Sequence, residues 1–384
     1  MKSKCKSPGI LTLGMFLTIV CLMPFLVSAE TPPGWKTECV GYYQLALPGE
    51  VEVALTNPDA SESWGTTGAD YHFTDGSRAV DSRLYIGNIG DLLLVSSLQP
   101  PDAFNRVKRK AEIGTEKYKK KLIAGGRSDA VKRIRPYPVS MPNTFGWLYD
   151  GSGGDIYSRN YSSGGADIHM QRGGRIYFYG FQLPGSPKKE SGALLVDQFI
   201  KRFRTRDLFE IPPETGLCIP YGFIATDDGK KGRSIAITFR LKAHPDVDIF
   251  FSDIRAKIPY KIDDKTLHDE TKKEIEDFWS DSSNIRDYKQ VVLDQPKFRV
   301  IELAGQPGYA TLGTITRLYD DTDFGYVAYA QGNYDAEKKE KNTQNLMLYV
   351  IRTAAHTRGT PMSKKELLKL AEQIAASVKR RVPE

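Results

Sequence analysis

Five histidines, His72, His169, His244, His268 and His356, stand singly along the chain. Zinc hydrolysis needs two histidines one helical turn apart with a glutamate between them, and no pair has that spacing. A nucleophilic serine on a strained turn needs Gly-x-Ser-x-Gly. The nearest stretch, Gly151-Ser152-Gly153-Gly154, has the wrong spacing and reads as a hairpin tip. Asp320-Asp321-Thr322-Asp323-Phe324-Gly325 starts like a calcium loop, but the position that would need a bidentate glutamate is Gly332. It reads as a turn between strands. There is no Cys-x-x-Cys, no phosphate-binding glycine loop and no dinucleotide fingerprint. The sequence therefore offers no recognisable catalytic, metal or cofactor-binding motif; that lowers the odds of an enzyme without excluding one, and the chain is read as a non-enzyme that needs no cofactor.

Three features remain that could support binding. The loop from Trp147 to Asp167 interleaves Trp147, Tyr149, Tyr157, Arg159 and Tyr161 with glycine and serine. Aromatic and arginine anchors on adaptable loops are what protein interfaces use, so these five are the candidate partner-binding residues. The segment from Arg106 to Lys121 carries eight basic residues against Glu112 and Glu116. It is either a patch for an acidic partner or anionic lipid, or the solvated face of an amphipathic helix, the reading preferred here. Cys39 and Cys218 are a possible disulfide in an oxidising compartment. The other reading is two buried thiols, one in each half.

The elements that must position these residues follow a plan that runs twice. Glu38 to Pro48 and Leu217 to Ile224 each open with a cysteine, a β-branched residue and a short apolar strand. Val196, Phe199, Ile200 and Phe203 form the stripe of a closing helix in the first half. Leu367, Leu370, Ala371, Ile374 and Val378 repeat that spacing in the second. Ser363 and Glu366 make a capping box there. Inner helices are expected over about 103–123, with Phe104, Val107, Ala111, Tyr118 and Leu122 inward, and around Leu267, Ile275 and Phe278, with Asp263 or Asp264 as N-cap.

Strands are expected at 51–55, 84–86, 92–97, 131–134, 176–181, 235–241, 247–251, 298–303, 326–330 and 346–351. Strands clustered between segregated helices argue for an α+β fold. Two similar domains follow, each an antiparallel-rich sheet with a long amphipathic helix and a closing helix. The boundaries are 30–210 and 217–384. The segment 211–216, with Pro212, Pro213 and Gly216, is the linker.

The N-terminus sets the compartment. Lys2, Lys4 and Lys6 precede an uncharged apolar run from Ile10 to Val27, then Val27-Ser28-Ala29. This is a secretory leader spanning 1–29, with cleavage after Ala29. Retention as an anchor is the rival reading, disfavoured by Pro24 and the small-residue site. The formal charge falls from +7 to +4 once three lysines leave with the leader. So small an excess does not imply nucleic acid as a partner.

Glu38-Cys39-Val40-Gly41-Tyr42-Tyr43-Gln44-Leu45-Ala46-Leu47-Pro48-Gly49 resembles the N-terminal signature of the two-domain immunity proteins that neutralise type VI secretion lipase effectors. Gly216-Leu217-Cys218-Ile219-Pro220-Tyr221-Gly222-Phe223-Ile224 resembles the start of their C-terminal domain. The resemblance implies a periplasmic protein of a Gram-negative bacterium, a monomer until it meets its phospholipase partner. It also implies two domains that grip the toxin like a claw and block the lid movement exposing its active site. The matched motifs mark domain starts, so no contact residues carry over from them. Two other readings stand beside it: an exported ligand-binding or envelope module, and an exported hydrolase without a recognisable motif.

Overall fold

The structure is a computed structural model. It describes residues 32–59, 70–86, 91–138, 141–149, 165–182, 191–229, 232–255, 263–281, 285, 287–319, 321–332 and 344–381. Alternating and continuous apolar runs become β1 (Trp35–Val40), β2 (Tyr43–Pro48), β3 (Val51–Val53), β4 (Leu55–Thr56), β5 (Tyr71–His72), β6 (Arg83–Ile86) and β7 (Asp91–Leu98). Then come α1 (Ala103–Ala124) and α2 (Ser128–Val131), followed by β8 (Ile134–Pro136), β9 (Thr144–Tyr149), β10 (Gly165–Arg172) and β11 (Arg175–Gln182). The first half closes with α3 (Ser191–Arg202) and β12 (Phe203–Thr205).

The second half holds β13 (Gly216–Ile219), β14 (Gly222–Ala225), β15 (Arg233–Leu241), β16 (Val247–Arg255) and α4 (Asp264–Ser280). After α4 come β17 (Tyr288–Leu293), β18 (Arg299–Leu303), β19 (Gln306–Arg317), β20 (Thr322–Ala330) and β21 (Gln344–Arg352). The described chain ends with α5 (Lys364–Ser377) and β22 (Lys379–Arg380).

The fold is α+β. The main sheet runs β17-β19-β20-β21-β16-β15-β6-β7-β11-β10-β9-β8, and each neighbouring pair along this path is antiparallel. Both faces are covered, which is why several strands read as unbroken apolar runs. Successive side chains of a strand point to opposite faces. In β7, Leu93 and Val95 enter one core while Leu92 and Leu94 enter another. In β11, Tyr177, Tyr179 and Phe181 join the first core, and Ile176 and Phe178 the second.

Helices α3 and α5 cover the first face through Val196, Phe199, Leu367 and Ile374. On the opposite face α1 packs Phe104 and Val107, and α4 packs Ile275, Phe278 and Trp279. The core under α3 and α5 is continuous through both halves.

The caps agree with their residue types. The Asp263 carboxylate accepts from the Thr266 N–H at 2.9 Å, and Ser363 and Glu366 form the reciprocal box at α5. Three expected elements differ: Ala54 divides 51–55 into β3 and β4, Phe203 begins β12 after α3 has ended at Arg202, and the strand expected from 131 starts later. Val131 ends α2, and pairing begins only at Ile134. Gly125 and Gly126 turn the chain back so that Val131 and Ile134 pack with Leu122 and Tyr149.

The segment 211–216 separates strands that pair with one another across it. β15 pairs with β6 from Arg233↔Ile86 to Ala236↔Arg83, and with β3. At the far end of the chain, β22 pairs with β2.

The tightest connection is at the two half-openings. Gly41 and Cys218 exchange backbone hydrogen bonds of 2.9 and 3.0 Å, and Cys39 and Cys218 form a disulfide across 179 residues. Beside it, the Arg206 guanidinium uses all three nitrogens. It donates to Glu38 and to the carbonyls of Cys39, Asp207, Glu210, Ile219 and Gly222. The other Glu38 oxygen accepts from the Phe209 N–H at 2.6 Å.

A second buried pair lies next to it. Arg233 grips Asp253 through two bonds of 2.8 and 2.9 Å, and Asp253 also accepts from the Tyr42 N–H. Gly41 has a φ of +60°, and a β-carbon there would lie 2.3 Å from Asp253 Oδ2. Only glycine fits.

Two outcomes are expected. Replacing Cys39 and Cys218 by serine should lower stability by about 2–5 kcal/mol, read from denaturant unfolding with and without reductant. The buried His169 ring stacks on Phe145 at 4.5 Å, and burial holds its pKa down to about 3. The folded ring stays neutral where the unfolded chain takes a proton below about 6.5. Its contribution is therefore present above that pH and is lost as pH falls towards 3, with a slope of at most about 1.4 kcal/mol per unit. His169→Phe should flatten the pH dependence of stability between about pH 5 and 6.5; an unchanged slope would count against this assignment.

Candidate functional site

Charged residues inside apolar strands draw attention to one region. A cleft of about 420 Å³ is lined by Asp248 of β16, Arg317 of β19, Asp323 of β20, and Tyr349 and Ile351 of β21. His356 in the turn after β21 and the first-half segment Arg78–Val80 complete its wall. Asp248 and Tyr349 reach it because β16 and β21 pair in the register Asp248↔Ile351 and Phe250↔Tyr349.

Two guanidinium–carboxylate pairs structure this cleft. Arg240 donates to both Asp248 oxygens at 2.8 and 3.2 Å, to Ser77 Oγ at 2.5 Å and to Asp75 at 3.3 Å. Its Cζ lies 3.8 Å from the Phe73 ring centre, and His356 Nδ1 is 3.3 Å from Nη2. Burial raises the Asp248 pKa, and the Arg240 bonds oppose that shift. Arg317 pairs with Asp323, whose second oxygen accepts from the Ala354 N–H at 2.6 Å. Among the described residues the buried Tyr349 hydroxyl has no hydrogen-bond partner, and burial raises its pKa.

A proton-transfer pair needs a group free to gain or lose a proton. Here each buried carboxylate is already clamped by an arginine. The clamps instead fix the wall of the cleft and tie the 73–78 segment of the first half to β15 and β16 of the second. At the rim, the turn after β19 presents Leu318 and Tyr319, 48% and 87% exposed. Tyr319 also lines the cleft. The charged hollow therefore lies beside an exposed tyrosine, a residue type enriched at protein interfaces.

The residues singled out in the sequence are dispersed. Trp147 and Tyr149 are part of β9, where they pair with Asp167 and Gly165 of β10, so the expected loop begins and ends as strand. Trp147 is half-buried. Tyr149 is buried against Leu122 of α1, and its hydroxyl donates to Asp167 at 3.1 Å. The aromatic face of β9 is thus covered by α1, and Tyr149 is no surface anchor. Tyr157, Arg159 and Tyr161 lie outside the described residues, as does Gly151–Gly154.

Of the calcium-like stretch, Thr322–Gly325 belong to β20 and Asp320 lies outside the described residues; its Asp323 is paired with Arg317. Among the described residues no group of three or more His, Cys, Asp or Glu side chains could hold a metal ion, and no helix is long and apolar enough to cross a membrane. Arg240, Asp248 and Arg317 were missed in the sequence, and Asp323 stood out only as part of the calcium-like stretch. The signal was an arginine or aspartate inside an apolar run, as in Thr238-Phe239-Arg240-Leu241 and Val247-Asp248-Ile249, since buried charges must be paired.

Comparison with known proteins places this architecture. Residues 210–383 match the family model described as Tle cognate immunity protein 4 C-terminal domain. No curated protein matches the sequence. Three solved structures share the fold at 16% identity over 91% of this chain. One is the immunity protein TplEi of the T6SS from Pseudomonas aeruginosa complexed with "L" peptide, with a TM-score of 0.51 and 99% of that chain covered. Its apo form gives 0.53 and 98%. The Tle4-Tli4 complex gives the same two values, 0.53 and 98%.

Arg240→Met should leave Asp248 buried without its cation and cost about 3–5 kcal/mol, measured by chemical unfolding. A loss below about 1 kcal/mol would show that the pair is not the clamp described.

Proposed function

From the premise that residues 210–383 form an immunity-protein domain of the kind cognate to Tle effectors, we propose that this chain binds a type VI secretion lipase effector and blocks it sterically. The observation that carries the reading is that family match within a chain whose whole fold resembles solved immunity proteins. The secretory leader read over 1–29 supports action in the periplasm, where the mature protein begins at Glu30. The clamped carboxylates of the cleft support obstruction rather than bond-breaking. A long helix and a closing helix in each half support domains over 30–210 and 217–384 built on one plan.

Obstruction needs a rigid body larger than the opening it blocks. Affinity then rests on slow release. The expected interface buries at least about 1,600 Å² in total, as stable complexes do. Leu318 and Tyr319 are the anchors proposed for it, in place of the buried Tyr149.

The test is co-expression of the chain with a lipase encoded beside it, followed by purification and assay of the lipase. A stoichiometric complex with suppressed lipase activity is expected. Leu318→Asp with Tyr319→Ala should weaken the complex tenfold or more, about 1.4 kcal/mol, while leaving stability within about 0.5 kcal/mol. A lipase that stays active and unbound in the presence of the folded chain would overturn the reading.

A further inference from the structure

Helix α1 is unlike the other long helix on its face of the sheet. It carries eight basic residues and two acidic ones, whereas α4 carries six acidic and three basic. From Arg106 to Arg133 the chain holds eleven basic residues against three acidic, a balance of +8. The whole chain is +7, so everything outside this segment sums to −1. The positive charge of the protein is concentrated on one element.

The burial pattern sets the direction of that charge. Phe104, Val107 and Leu122 face the core, which turns Arg109, Ile113, Lys117 and Lys120 outward at i, i+4, i+8 and i+11. Arg106 and Lys110 are held by Asp59, and Lys119 by Glu116. Among the described residues Lys108, Arg109, Lys120 and Lys121 have no acidic partner. Within this cationic face Ile113 and Ile123 are 51% and 55% exposed.

We propose that the outer face of α1 binds the surface of an anionic phospholipid bilayer. Three observations favour lipid over an acidic protein. Six of the eight cations are lysine, the residue that protein interfaces disfavour and polybasic membrane-binding segments use. Long lysine side chains reach headgroup phosphates without a fixed geometry, which suits a fluid surface. Isoleucines among the cations can enter the headgroup–acyl boundary while the helix lies flat. The inference does not depend on the effector reading. If both hold, the inhibitor waits at the surface where a phospholipase finds its substrate.

Sedimentation of the mature full-length protein with vesicles tests the proposal. Binding is expected to vesicles containing phosphatidylglycerol and not to pure phosphatidylcholine, and it should weaken as salt rises. The variant Lys108→Glu, Arg109→Glu, Lys120→Glu, Lys121→Glu alters only exposed side chains and should bind roughly tenfold or more weakly with an unchanged circular dichroism spectrum. Ile113→Asn should weaken binding while keeping the salt dependence. No binding to anionic vesicles at low salt, equal binding to neutral ones, or undiminished binding of the charge-reversal variant would each overturn the proposal. Loss of effector binding in the charge-reversal variant, with vesicle binding intact, would assign the face to protein and overturn it equally.

Discussion

The two halves of this chain are joined through charges that have no access to water. Glu38 and Arg206 are each 1% exposed, and Arg233 and Asp253 are 3% and 0%. Taking such groups out of water is expensive unless every donor and acceptor finds a partner. Arg206 meets that demand only when β1, the 206–210 segment, and β13–β14 are all in place. Asp253 meets it only when Arg233 and the backbone of Tyr42 converge. Gly41 lies between the two pairs, and the disulfide beside them shortens the search for that arrangement. Partial assembly would leave a buried charge without its compensating groups, which favours closure of the junction as a unit.

Strand pairing and packing add to that junction. β15 pairs with β6, β22 returns to β2, and one apolar core runs under α3 and α5 through both halves. Side-chain alternation places the cleft on the opposite face, with α1 and α4. Tyr349 and Ile351 of the cleft belong to the core under α4, Ala79 to the core under α1, and Val80 packs against the core under α4. The segment 78–80 thus bridges two cores on the face that also carries the basic helix. The cleft and the basic helix thus share one side of the sheet, and the core that is continuous through both halves lies on the other.

The elements were legible in the sequence where burial has a period. The stripes of α1, α4 and α5 and the caps at Asp263 and Ser363 are set by residue type and spacing, which act within one turn of chain. The apolar runs of β7, β11, β15 and β21 announced themselves for the same reason. The strand expected at Val131 failed because Leu122 and Tyr149, distant in sequence, decide where that residue packs. The ends of the loop expected over 147–167 are strand for the same reason: β10 supplies partners for Trp147 and Tyr149 that spacing alone does not reveal.

Sequence by itself therefore determined the helix faces, the doubled opening motif and the concentration of positive charge on one helix. Each depends on residues within a few turns of one another. Tertiary structure alone decided that Cys39 and Cys218 pair, that Arg240 and Asp248 clamp a cleft, and that Tyr149 is buried while Tyr319 is exposed. Those outcomes depend on which strands become neighbours, and the pairing of β15 with β6 joins residues about 150 positions apart. A charge in an apolar strand reveals that it must have a partner. Only the closed sheet shows which partner it has.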